Sequence, residues 1–454
     1  MKKFIYAALL ALGVLALMAP PSAMAQEEKP FTIHGEVRIR GEYTNNSTDF
    51  SDNGVTGVFN GADSADYWPY RVRIAAEGHF AHNISTWIEF QNAAVAGSFG
   101  GPFRTGTTLG FNNGVELYQG NISLNQLWSK SFSLRLGRQE IVLGNELLLG
   151  DLDFYTGISH DGAVGTWNLK KVTVTVWATR PTQTQVGFPA GSSFFGSPDQ
   201  ITVGHSNAGT QTFLGGYGTW NFKKDQIFDV YLMDLDNKST SNVQTAGARY
   251  AHDSISKNGF IWNIEGAQQF GDAVEAALGN TKITAEGHVI EGWFGYNWKM
   301  GKNSHRVYGR YSNASGDKGS TLDKNEGFIP MFGDFHNRLG HGDWFRLQNS
   351  PTSLGAGTGA GTGIRAFSAA YTGLFNDRHE FGVAYWDYKL DEKNGVASDK
   401  LGTSEDVWYG FNYSRNVNFT VSLSQLKPDN ALTGGGAAPS DTVTRLYGQA
   451  RLRF

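Results

Sequence analysis

The chain has no cysteine, only 12 prolines among 454 residues and, beyond Ala25, no apolar run long enough to cross a membrane as a helix. The first absence argues against a disulfide framework, thiolate chemistry and Cys-ligated zinc. The last removes helical spans of about 20 residues. Metal-ligand spacing is also missing: His79, His82, His160, His252, His288, His305 and His379 are scattered, and His336 and His341, with Asp334 and Asp343 nearby, read as solvated loop histidines. There is no G-x-S-x-G elbow. The adjacent Ser159-His160 pair would point to opposite faces of a strand. No enzyme activity, cofactor or nucleic-acid partner is expected. What the chain does have is 58 glycines and 13% aromatics.

Its two ends indicate a compartment. Lys2 and Lys3 precede an apolar run over 4–18, Pro20 and Pro21 break it, and Ala23-Met24-Ala25 forms a small-residue cleavage signature. Residues 1–25 therefore read as a cleaved signal peptide, with 26–454 as the mature domain, side-chain balance 36 − 42 = −6. At the other end, Leu446, Gly448, Ala450, Leu452 and Phe454 share one face of an alternating strand, while Arg445, Tyr447, Gln449, Arg451 and Arg453 share the other. Such a strand suits a barrel with lipid outside and a polar lumen inside. The expected partners are therefore outer-membrane lipid and, through the Phe454 strand, the barrel-assembly machinery of a Gram-negative cell.

Spacing gives the architecture. Alternating segments recur near 32–45, 68–80, 83–93, 115–128, 132–140, 160–169, 172–180, 211–222, 226–236, 243–251, 259–270, 282–298, 305–314, 363–375, 378–390, 404–414, 417–426 and 442–454. Gaps between them alternate long and short, the clearest long ones being 46–67, 94–114, 141–159, 181–210 and 315–362. Short periplasmic turns and longer external loops produce that alternation. The fold predicted is an all-β, antiparallel up-and-down transmembrane barrel of eighteen strands, with both termini periplasmic. The middling gaps around 237–258 leave sixteen open.

Strand parity assigns the faces. It turns Arg38, Arg40, Arg71, Arg73, Arg135, Arg306, Arg310, Arg365, Arg445, Arg451 and Arg453 inward, with Glu36, Glu42, Glu77, Glu89, Glu265 and Glu291. An Arg or Lys facing mid-bilayer would cost about 2–4 kcal/mol. Arg beside Glu can brace a wide barrel; a wall with eleven Arg to six Glu also suits anions, which guanidinium forks bind at any physiological pH.

Two segments carry a family signal. A strand ending in Leu-Gly-Arg-Gln-Glu is followed by a Gly- and Asp-containing loop and a His-Asp-Gly strand start within 132–167. Further on come Phe328-Ile329-Pro330-Met331-Phe332, His336, Gly342-Asp343 and Asn349. Together they resemble the alginate-export family of outer-membrane porins. The resemblance implies an eighteen-stranded, Arg-lined conduit for an anionic polyuronate. Its electropositive pore positions map onto Arg135 and Arg138, and their acidic partner onto Asp161.

The long 315–362 gap is expected to be ordered by Phe328, Phe332, Phe335, Trp344 and Phe345, and to constrict or cap the pore. The 141–159 gap is a second candidate gate. Asp49 with Asp52, and Asp151 with Asp153, are candidate Ca²⁺ positions. The function expected is passage of anionic solutes, acidic oligo- or polysaccharide such as alginate among them. A general or phosphate-type porin, or a plugged binding barrel, are the alternatives.

Overall fold

The computed structural model describes residues 31–46, 65–96, 114–182, 211–237, 241–253, 258–275, 281–334, 336–345, 347, 361–433 and 440–454. The proposed leader, Asp49, Asp52, Phe335 and Asn349 lie outside them. Eighteen long strands run in sequence: β1 (Phe31–Asn45), β2 (Pro69–Phe80), β3 (Ile84–Val95), β4 (Glu116–Leu124), β5 (Phe132–Gln139) and β6 (His160–Asn168). They continue as β7 (Val172–Pro181), β8 (Gln211–Lys223), β9 (Gln226–Asn237), β10 (Ser241–His252), β11 (Gly259–Glu275) and β12 (His288–Met300). The last six are β13 (Asn303–Ala314), β14 (Ile364–Phe375), β15 (His379–Lys389), β16 (Lys400–Asn412), β17 (Val417–Pro428) and β18 (Val443–Arg453).

Each strand pairs antiparallel with the next, and β1 pairs with β18 from Glu36 opposite Arg453 to Asn45 opposite Thr444, which closes the barrel. Closure removes both free sheet edges. The count is eighteen because β9 and β10 form a full hairpin, with Asp236 opposite Asn242 across a short connection. One segment read as continuous is interrupted: residues 281–285 form a separate short strand before β12. At the break, the Glu286 amide donates to the Asn325 carbonyl (2.8 Å), so a returning loop takes up the ladder.

Parity behaves as period 2 requires. Ile33, Ile39, Ile74, Phe90, Ile122, Val230, Phe294 and Leu423 stand exposed on the outer surface. Arg38, Arg71, Glu265, Glu291 and Ser422 are buried within. In the half of the wall nearest the long loops, however, inward positions turn apolar. Phe213, Met233, Leu235, Val243, Val289, Ile364, Tyr388 and Leu426 are all buried there. They pack against Leu147, Leu148, Leu149, Phe328, Met331, Phe332, Leu339, Trp344 and Phe345 from two connections that fold back into the lumen. This core lies inside the barrel.

The two inward connections are residues 140–159 and the described part of 315–363. They join each other through their backbones. Leu149 and Phe332 form a parallel bridge. The Phe332 amide donates to the Leu148 carbonyl (2.9 Å), the Gly150 amide to the Phe332 carbonyl (2.8 Å), and the Asp334 amide to the Glu146 carbonyl (2.9 Å). Buried polar backbone is satisfied this way rather than left exposed to an apolar core.

Candidate functional site

The arginines expected to line an open lumen do three different jobs. On β18, β1 and β2, Arg451, Arg38 and Arg71 are direct cross-strand neighbours. Like charges placed opposite destabilise a sheet, so this row requires anions. The loop 140–159 supplies them. The Asp153 carboxylate lies 2.9 Å from Arg71 and 3.8 Å from Arg38. From the wall, Glu36 accepts from Arg71 at 2.6 Å.

Four guanidiniums also hold the loop's backbone. Arg38 donates to the carbonyls of Asp153 and Tyr155 (both 2.8 Å). Arg40 donates to Phe154 (3.0 Å), Arg71 to Asp153 (2.7 Å) and Arg73 to Thr156 (2.7 Å). The Tyr155 hydroxyl donates to Glu42 (2.8 Å), which also pairs with Arg445 (2.9 Å). The surrounding guanidiniums hold the Asp153 carboxyl far below the usual range, against the opposing effect of burial.

The second loop is pinned similarly. Arg310 donates to the Arg338 carbonyl (2.6 Å), Arg338 pairs with Glu291, and Arg445 donates to Gly342 (2.9 Å) and Asp343 (3.1 Å). Arg338 ties the loops together by donating to the Asn145 carbonyl (2.6 Å). His336 and His341, expected to be solvated, are instead interior. Burial pulls His336 down to about 3 and His341 down to about 4, against the opposing charge of Asp343, whose carboxylate lies 2.5 Å from His336. His341 stacks on Trp408 at 4.3 Å between ring centres.

Three other expected pore residues stand on the outer face, which corrects their assignment. Arg138 shares its side of β5 with exposed Leu136 and forms a two-pronged pair with Asp161 (2.9 and 3.0 Å). Arg365 lies on the side of β14 that carries exposed Phe367, and donates to the Leu390 carbonyl (2.9 Å). All three sit at the long-loop ends of their strands, where a charge facing outward costs about 0–1 kcal/mol. Arg306 does face inward, but is held by Asp253 (2.7 Å) and Asn297 (3.0 Å).

Arg135 and Arg451 remain. Among the described residues neither has a carboxylate within ion-pair distance; Arg451 donates to Asn418 (3.3 Å), and Arg135 to Gln139 and the Glu140 carbonyl (2.8 Å). Each borders a cavity in the half of the lumen nearest the termini. One, of about 260 Å³, lies between Arg38, Arg40, Arg451, Asn418, Tyr447 and Trp408. The other, of about 440 Å³, lies between Arg135, Glu77, Glu140, Trp87 and Asn121. Sequence parity had found both arginines without separating them from the rest.

The remaining constellation was not read from sequence. Glu146, Asp151 and Asp334 bring carboxylate oxygens within 4.8 Å of one another across the seam between the loops. Burial, then Asp153, Glu140, Glu146 and Asp334, push Asp151 up to about 7. Burial likewise pushes Asp334 up to about 6. These three carboxylates are the group a cation would use, because Asp153 is committed to guanidiniums.

The alginate-export family profile matches residues 31–352. The chain belongs to the alginate-export family. No curated protein matches it in sequence. Among solved structures, it resembles three outer-membrane porins of Pseudomonas aeruginosa. OpdL aligns with a TM-score of 0.61 at 10% identity, over 93% of this chain and 98% of that one. OccK11 (OpdR) gives 0.57 at 11%, over 94% and 98%. OpdK crystallised with vanillate gives 0.56 at 13%, over 93% and 99%. At such identities the likeness concerns the fold. With the family it makes this chain an outer-membrane β-barrel of the porin class, an architecture of channels rather than enzymes.

Proposed function

We propose that the barrel passes small acidic solutes, carboxylated sugars foremost, through the two cavities bordered by Arg451 and Arg135. The observation carrying this reading is that these two inward guanidiniums both lack a carboxylate partner among the described residues and border open space. A guanidinium with free donors matches a carboxylate in shape and charge. Asn418, Gln449 and Thr420 add hydrogen-bonding groups for sugar hydroxyls beside Arg451. Two similarly folded porins were crystallised with carboxylates, OpdK with vanillate and OccK2 (OpdF) with glucuronate. Alginate is a polymer of such units, and the family gives it first place among larger candidates. In this reading residues 1–25 are removed on export, both termini are periplasmic, the Phe454 strand engages the assembly machinery, and no reaction is catalysed.

The test is the reversal potential across a planar bilayer in a salt gradient, repeated with oligouronates. Anion preference that falls in Arg451→Ala and Arg135→Ala, with block by oligouronate but not by phosphate, supports the proposal. Cation preference overturns it. The filled upper lumen favours a second reading, a closed binding barrel. Saturable uronate binding without conductance would establish that one instead.

A further inference from the structure

We propose that Asp153 occupies the place of a solute carboxylate, and that an arriving carboxylated solute exchanges with it and releases residues 151–156 from the wall. The inference rests on the acidic-solute reading and adds how such a solute would open its own path.

Asp153 is the one contact of this strap that a solute can imitate. The strap's other bonds to the wall include backbone carbonyls on Arg38, Arg40, Arg71 and Arg73, the Tyr155 hydroxyl on Glu42 and the Arg40 guanidinium over the Phe154 ring. Asp153 alone presents a carboxylate to the row of guanidiniums. Its side chain is 25% exposed while that of Arg71 behind it is fully buried. It borders the 260 Å³ cavity beside Arg38, Arg40 and Arg451. A carboxylate entering there meets Arg451 first, then Arg38, and reaches Arg71 only by displacing Asp153. The groups facing Asp153 are Arg71, Arg38 and Arg73, with the carboxylates of Glu36, Asp151 and Glu140 close by. Exchange leaves the charge on the guanidinium row unchanged. It returns a detached Asp153 to water, away from the like charge of Glu140, so the replacement is close to balanced. A ligand shifts such an equilibrium only by its differential affinity for the two states. Here that difference is large, because the closed strap covers the binding groups.

The experiment uses the full-length protein in planar bilayers, with sodium glucuronate as probe and glucose as neutral control. In the wild type, glucuronate should raise the open fraction about tenfold, equal to about 1.4 kcal/mol, and glucose should not. Asp153→Asn should be open without glucuronate and gain nothing from it. A variant that conducts and responds as the wild type does, or glucuronate that only lowers wild-type current, overturns the exchange. Hydrogen–deuterium exchange of residues 150–157 in the wild type requires no substitution. Faster exchange with glucuronate but not glucose supports release, and unchanged exchange overturns it. Anion preference with a static strap removes this inference alone. Cation preference without glucuronate binding removes the acidic-solute reading, and this one with it.

Discussion

Replacing Arg71 by methionine should be among the most damaging single substitutions in the lumen. The side chain is fully buried and holds four groups: Glu36 through two donors (2.6 and 2.9 Å), the Asp153 carboxylate (2.9 Å), and the carbonyls of Asp153 (2.7 Å) and Tyr155 (3.4 Å). Methionine keeps much of the volume and removes every donor. Breaking a buried pair by removing one partner costs about 3–5 kcal/mol, because the surviving charge is stranded. Relief of repulsion between Arg71 and its neighbour Arg38 offsets part of that, which sets the expectation at the lower end. Arg138→Met is the control. Its pair with Asp161 is one-third to one-half exposed, so its loss should cost about 0–1 kcal/mol. The assay is the urea midpoint of the folded barrel, read by heat-modifiable gel mobility. A double variant that adds only Glu36→Gln should recover part of the loss, because Glu36 is the carboxylate that loses two Arg71 donors, while Asp153 stays to compensate Arg38. Equal midpoints for Arg71→Met and Arg138→Met would refute the assignment of Arg71 as the anchor of the lumenal loop.

Phe332→Ala should loosen the seam between the two loops. The ring is buried against Phe213 (4.9 Å) and His160 (5.1 Å), and such truncations cost about 3–5 kcal/mol. Noisier, larger currents from an intact barrel are the expected signature; an unchanged trace would refute it. The seam should also be pH-sensitive. Asp151 and Asp334 are raised, to about 7 and about 6. Their contribution is therefore full below their unfolded values and lost as pH rises through 6 to 7. Protection factors of the Gly150 and Phe332 amides should be lower at pH 8 than at pH 5, and Asp151→Asn should flatten the difference. Gly137→Ala should impair folding. Its φ is +119°, and an added Cβ would sit 2.3 Å from the Gly120 carbonyl oxygen. Normal yield of heat-modifiable barrel from that variant would contradict this.

Period-2 alternation made the barrel legible, because each strand's faces are decided locally by its own residues. It failed where local parity is ambiguous. In Ile364-Arg365-Ala366-Phe367 an apolar residue stands on each side of the arginine's parity; only packing shows that Ile364 is buried and Phe367 exposed. Arg138 and Asp161 were placed by motif resemblance, although Leu136, two residues before Arg138, already marked that side of β5 as the outer one. The lumenal core had a signal too. Toward the long loops, inward positions such as Phe213, Met233, Val243 and Leu426 are apolar, which a water-filled pore does not favour, and Leu147-Leu148-Leu149 offers a matching surface.

The roles of the individual arginines were not legible, for a different reason. Asp153 lies 82 residues from Arg71, and Phe154 lies 114 from Arg40. Whether an inward guanidinium is an anchor or an anion site depends on which distant segment returns to meet it. Strand parity carries no information about that return. An arginine-rich wall is therefore as much a consequence of having acidic, carbonyl-rich loops to hold as of having anions to pass. Counting arginines overstates the selective surface of this barrel, because Arg38, Arg40, Arg71, Arg73 and Arg445 are already occupied by the chain itself.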